Sequence, residues 1–204
     1  LIDSSGTLQA VGGAALTGGV QSGSFGVTDL AGVSAIGGGF ALDGGATLAN
    51  TQWLNWSSGD VMLGAGDSNA GSQTGTLAND GIFYVTADGR IATHGLGSGV
   101  VDNNGGAVMA VYAGAGETDI DATMDNAGFI QVQSGTLSLN GGGTSNASNL
   151  YEAAGAMLQF GTTAGGASSI FTINGGLYTV AATRVTGATV DFSGAAAVGF
   201  GSSL

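Results

Sequence analysis

His94 is the only histidine of this 204-residue chain, so any Ser–His–acid relay would have to be built on it. Asp88 and Asp102 are close to it in sequence, but no Gly-x-Ser-x-Gly elbow presents a nucleophile, and a turn or surface position is the preferred reading. The densest acidic run is Asp119, Asp121 and Asp125, with Glu117 beside it. Ca²⁺, which takes several carboxylate and carbonyl oxygens, is the metal such a run would hold. The spacing is not that of an EF-hand, because Met124 stands at the glycine position and Ile130 at the bidentate glutamate position. The run reads first as a solvated loop and second as a Ca²⁺ candidate; no metal or other cofactor is required. The same carboxylates would serve a glycoside hydrolase or polysaccharide lyase in acid–base work. That chemistry needs a cation to position an anionic sugar, and the chain has only Arg90 and Arg184 and no Lys.

Trp53 and Trp56 flank Asn55. On a strand, a spacing of three puts the two rings on opposite faces, one in the core and one outside, where it would stack on a sugar. The glycine pairs Gly64–Gly66, Gly95–Gly97 and Gly114–Gly116 lack the third glycine of a dinucleotide fingerprint, and without Lys there is no P-loop. Two isolated Arg exclude nucleic acid as a partner, because phosphate binding needs clustered cations. The sequons Asn55-Trp-Ser57 and Asn146-Ala-Ser148 occur no more often than the abundance of Ser and Thr dictates. The inventory points away from an enzyme.

The elements that would position these residues are strands. Gly supplies 42 residues, Pro and Cys none, and 43% of the chain is apolar with a mean hydropathy of +0.34. A disordered chain has little apolar surface to bury; this one has a core's worth. Collagen would need Gly at every third position together with Pro, and helices would need long stretches free of Gly and β-branched residues. Short runs of Val, Ile, Thr, Phe and Tyr bounded by Gly, Asn, Asp and Ser give an all-β chain instead. No apolar run approaches the ~20 residues of a membrane-spanning helix. No basic n-region and apolar h-region open the chain at Leu1, so no signal peptide is expected within it. The net charge is −12.

Asparagine carries the periodicity. Seven of eleven Asn (Asn69, Asn79, Asn103, Asn104, Asn126, Asn140 and Asn174) have Gly two residues later, which fits tight turns in which both residues tolerate left-handed backbone. Asn50, Asn79, Asn103, Asn126, Asn149 and Asn174 are spaced 29, 24, 23, 23 and 25 residues apart. Short alternating segments such as Phe83-Tyr-Val85 and Ile130-Gln-Val132 follow these turns. A repeat of about 23–25 residues built from strands and tight turns is one coil of a parallel β-helix. Each coil is too small to bury its inward side chains alone, so coils stack and share a core. The expected fold is therefore one domain over residues 1–204, a single-stack, right-handed parallel β-solenoid, with those six Asn as a hydrogen-bonded ladder at one corner. Its inward positions are expected to include Leu77, Phe83, Val85, Ile130, Val132, Leu137, Leu139, Phe160, Ile173, Val180 and Val190.

The Asn-x-Gly-x-apolar turn followed by Ser134-Gly-Thr-Leu-Ser-Leu139 resembles the β-helical passenger regions of bacterial autotransporters and filamentous-haemagglutinin-like adhesins. The likeness spans roughly residues 43–192 and is fainter in the first 40; the stretch from Asp191 to Leu204 does not read as an outer-membrane barrel. It implies a secreted or surface-held rod used in adhesion or surface coats. The expected role is structural and adhesive, as a segment or subunit of an extracellular polymer. Its expected partners are neighbouring solenoid segments, by self-association end to end, and surface glycans. A stand-alone glycan- or receptor-binding module is the alternative, and a β-helical polysaccharide lyase or hydrolase the rival of a different class.

Overall fold

A computed structural model describes residues 2–3, 6–22, 25–64, 73–94, 97–146, 149–161, 169–180, 182–195 and 197–200. Over these residues the chain is all-β without a helix and winds as a parallel solenoid of about 8 turns, with about 21 residues per coil. Each full coil lays down three short segments, as in Thr74–Asn79, Ile82–Val85 and Gly89–Thr93. The rod consequently has three faces. The first is a nine-stranded sheet from Thr7–Gln9 to Ala188–Asp191. The second and third merge into one sixteen-stranded sheet, because Val108–Ile120 and Phe129–Leu139 run unbroken around the corner between them. The register slips at that bend, around Tyr112.

Side chains alternate between core and surface along every well-formed strand, as a period of two requires. Thr74–Asn79 alternates strictly, with Gly75, Leu77 and Asn79 inward. Leu77, Phe83, Val85, Ile130, Val132, Leu137 and Phe160 are completely buried, and Leu139, Ile173 and Val180 very nearly so. Val190, in the last first-face strand, packs against the core only partly buried. Aromatic side chains fill the C-terminal coils, where Phe160 contacts both Phe171 and Tyr178.

The coils are less uniform than a repeat of 23–25 residues. Successive rungs at the ladder corner are 29, 24, 23 and 19 residues apart. This unevenness corrects the Asn ladder. Asn50 donates to Asn79 Oδ1, Asn79 to Asn103 and Asn103 to Asn126, each at 2.7 Å. The next rung is Ser145, whose Oγ accepts from Asn126 at 3.0 Å. Asn149 and Asn174 stand off the ladder. The coil after Asn126 is too short to bring Asn149 to the corner; Asn149 opens the following second-face strand beside Phe129 and accepts from the Leu177 N–H at 3.1 Å. Ile173 takes the rung above Ser145, and Asn174, one residue further, donates to Asn146 Oδ1 at 2.9 Å. On the other side of Asn50 the rung is Leu30, completely buried.

Asn50, Asn79 and Asn103 also tie two faces together. Besides its rung bond, Asn79 Nδ2 donates to the Val108 carbonyl at 3.1 Å, and Asn79 Oδ1 accepts from the Gly81 N–H at 3.3 Å. Asn126 Oδ1 does the same with Gly128 N–H at 3.2 Å. The glycine two residues on serves close packing here, with no left-handed backbone at Gly81 or Gly128. A Cβ on Gly81 would come 2.2 Å from the Gln52 carbonyl oxygen of the preceding coil, and one on Gly128 would come 2.4 Å from that of Ala107. Gly106, Gly142 and Gly176, two residues after Asn104, Asn140 and Asn174, have φ of +88°, +73° and +72° and are the positive-φ turns that the pattern suggests.

Candidate functional site

The residues singled out for chemistry are distributed over all three faces. Asp119 is the last residue but one of Val108–Ile120, and Asp121 follows the strand; the Asn140 amide bridges them, 3.2 Å from Asp119 Oδ1 and 2.8 Å from Asp121 Oδ1. Glu117 lies beside them and accepts a hydrogen bond from Ser138. Burial first, then the charges of Glu117 and Asp121, raise Asp119 above the ordinary carboxylate range, against the opposing pull of Asn140 and Arg90. Asp125 lies past the corner, on the first face, where it pairs in register with Asp102 and accepts from Thr144 Oγ1 at 2.9 Å. The three acids of the Ca²⁺ candidate are thus split two and one, and among the described residues no group of three or more His, Cys, Asp or Glu is arranged to hold a metal.

His94 is exposed at the end of a third-face strand, and its backbone N–H bonds the Leu63 carbonyl at 3.2 Å. Asp88 accepts from the Glu117 backbone, and Asp102 lies on the first face beside Asp125 and Asp80. Arg90 forms an ion pair with Asp60 at 3.3 Å, with both side chains about half exposed, and stands in register with Asp119 on the next coil. Arg184 Nη1 donates to Gln159 Oε1 at 3.2 Å. Glu152, which composition alone did not mark out, occupies an inward position and is almost completely buried; its Oε2 accepts from the Ala182 N–H at 2.9 Å. Burial pushes the nearby Tyr178 hydroxyl up to about 12, a bond with Thr183 opposes this, and Glu152 adds to the rise.

The second face carries the most distinctive surface. Its outward positions form two adjacent columns. One runs through Val33, Trp53, Ile82, Val108 and Phe129, the other through Ala35, Asn55, Tyr84, Ala110, Gln131 and Tyr151. No member of either column is charged, on a chain of net charge −12. Trp53 stacks on Tyr84 with centroids 5.8 Å apart, and Tyr84 on Tyr112 at 4.7 Å, giving three rings on three consecutive coils. Toward the N-terminal coils the columns drop to Val33, Ala35 and Ala15, and a depression of about 700 Å³ opens between those small residues and the indole of Trp53. A second, of about 300 Å³, lies further along the same columns between Phe129, Tyr151 and Leu177. Periodicity puts the two Trp on opposite faces, and the structure assigns Trp53 to the outside and Trp56 to the core; the tyrosines were missed because their alignment depends on coil lengths that the spacing does not reveal.

The chain matches no protein-family model, no curated protein and no solved structure. Fold and site geometry together define a parallel β-solenoid with an uncharged aromatic strip along one face.

Proposed function

We propose that this chain is a structural and adhesive β-solenoid, a segment or subunit of an extracellular or cell-surface polymer. The observation that carries the reading is the pair of open edges at the ends of the first face. Thr7–Gln9 pairs only with Val27–Leu30, and Ala188–Asp191 only with Ser169–Ile173, so each presents a row of backbone groups along the rod axis. Natural solenoids cover such edges with caps, and an uncovered edge templates another strand. Among the described residues none is helical and no strand pairs with the outer side of either edge. The stack can therefore be continued, by further coils or by another copy, and a head-to-tail contact that does not close grows into a fibre. The resemblance to passenger and haemagglutinin-like repeats supports the same role.

The acidic surface opposes association at low salt, and divalent cations relieve that repulsion without a dedicated site. Sedimentation velocity over a concentration series, with Ca²⁺ and with chelator, tests the proposal. Mass that rises with concentration, more steeply with Ca²⁺, is expected; a strict monomer throughout in both buffers overturns it.

A non-catalytic role belongs to the same reading. The carboxylates beside Arg90 are the place where the rival, a glycan-cleaving enzyme, would have its site. Reproducible cleavage of acidic or neutral glycans, lost on Asp121→Asn, would establish that rival.

A further inference from the structure

We infer that the depression beside Trp53 is a binding site for a neutral glycan chain, which runs along the second-face strip. This names the ligand class of the adhesive role proposed above and rests on its adhesive half, not on assembly. Three observations carry it. Trp53 is 41% exposed although it heads a stack of rings, so it offers a broad apolar wall at the edge of a cavity floored by small residues. The C–H face of a sugar ring is the complement of such a wall, because its weakly positive hydrogens meet the negative π face. Second, Asn55 lines the same depression, and its Oδ1 is out of contact with solvent yet accepts no hydrogen bond from any described residue. An acceptor in that state asks for a donor, and a turn of the Asn55 side chain on binding would bring it to a sugar hydroxyl. Third, no charged residue lines the depression and the chain as a whole is acidic, so an anionic glycan would be repelled with no Arg or Lys to hold it.

The shape selects a linear chain over a second copy of the protein. The strip is two columns wide and runs the length of the stack, about 40 Å by ~10 Å at ~4.8 Å per rung, so pairing two strips would bury only ~800 Å², short of the ~1,200 Å² of a specific interface. A narrow strip with depressions at two places along it suits an extended polymer that touches it at intervals. The cavity volume falls in the range of small-ligand sites.

Tryptophan fluorescence and calorimetry on the whole chain provide the test, because Trp56 is buried and only Trp53 faces the ligand. The probes are neutral hexasaccharides (β-1,4-glucan, α-1,4-glucan and β-1,4-linked N-acetylglucosamine), with an oligogalacturonate as the acidic comparison. Saturable quenching of the native chain by at least one neutral probe is expected, and calorimetry, which needs no indole, is expected to show affinity weakened about tenfold or more by Trp53→Ala and by Asn55→Ala and largely retained in Trp53→Tyr. Circular dichroism of each variant reports that the solenoid is intact. No saturable response to any neutral hexasaccharide, preference for the oligogalacturonate, or affinity unchanged in Trp53→Ala would each overturn the inference. So would sedimentation showing that Trp53→Ala dissolves a lateral dimer. The assembly reading is judged separately by mass against concentration, so failure of one is distinguishable from failure of the other.

Discussion

Trp53 and Trp56, three residues apart on one strand, lie on opposite sides of the solenoid wall. Trp53 stands outward against Tyr84, while Trp56 is completely buried, stacks on Phe83 at 6.3 Å and donates its indole N–H to the Gly59 carbonyl at 2.8 Å. Removing the inner ring leaves a large cavity and an unpaired carbonyl, and removing the outer one leaves solvent. Trp56→Ala is expected to cost roughly 3–5 kcal/mol, and Trp53→Ala under about 1 kcal/mol. Urea unfolding of the two variants measures this; equal losses would contradict the assigned sidedness.

The second prediction concerns the ladder. Asn103 is buried, accepts from Asn79, and donates to Asn126 and to the Phe129 carbonyl at 3.0 Å. Asn103→Ala strips partners from three groups, one of them a main-chain carbonyl, and is expected to cost roughly 2–4 kcal/mol. The side-chain amide of its neighbour Asn104 bonds the exposed Asp80 carboxylate, at 2.9 Å, and Asn104→Ala is expected to cost under about 1 kcal/mol. Thermal unfolding of the two variants in parallel checks the contrast, and a similar loss in both would mean the ladder bonds contribute little.

Much of the fold was legible because inward positions alternate with a period of two. Phe83 and Val85, or Ile130 and Val132, declare themselves wherever a strand falls in the chain. The ladder was legible only as far as Asn126, because equal spacing carried the pattern past the 19-residue coil that ends at Ser145. A serine can replace an asparagine as the last acceptor, and nothing in local composition announces that. The site was less legible still. Asn55 read as an unremarkable sequon, and only the folded structure shows that its Oδ1, between the rungs of Ala35 and Tyr84, has no donor.

Acid should stabilise the protein. Asp102 lies in the first-face acidic column, and burial first, then the charges of Asp125 and Asp80, raise it above the ordinary carboxylate value of ~3.9. A carboxyl whose folded value is raised binds its proton more tightly when folded. Stability therefore grows as pH falls from neutrality through the raised value, and declines again as pH rises. Asp119 acts in the same direction. Asp191, lowered by its bonds to Ser193, acts oppositely, but at lower pH and at an exposed position. The midpoint of thermal unfolding should rise as pH falls from 7 towards the ordinary carboxylate value of ~3.9. Asp102→Asn should raise it at pH 7 and reduce that slope; a midpoint that falls steadily over this interval would contradict the assignment.

Electron microscopy of the purified chain at high concentration, with Ca²⁺ and with chelator, tests the central claim most directly: a solenoid with extendable ends. The account predicts fibres of constant, single-solenoid width that lengthen with concentration and are more abundant with Ca²⁺. Isolated rods about 40 Å long in every condition, or growth by sideways clustering alone, would contradict it.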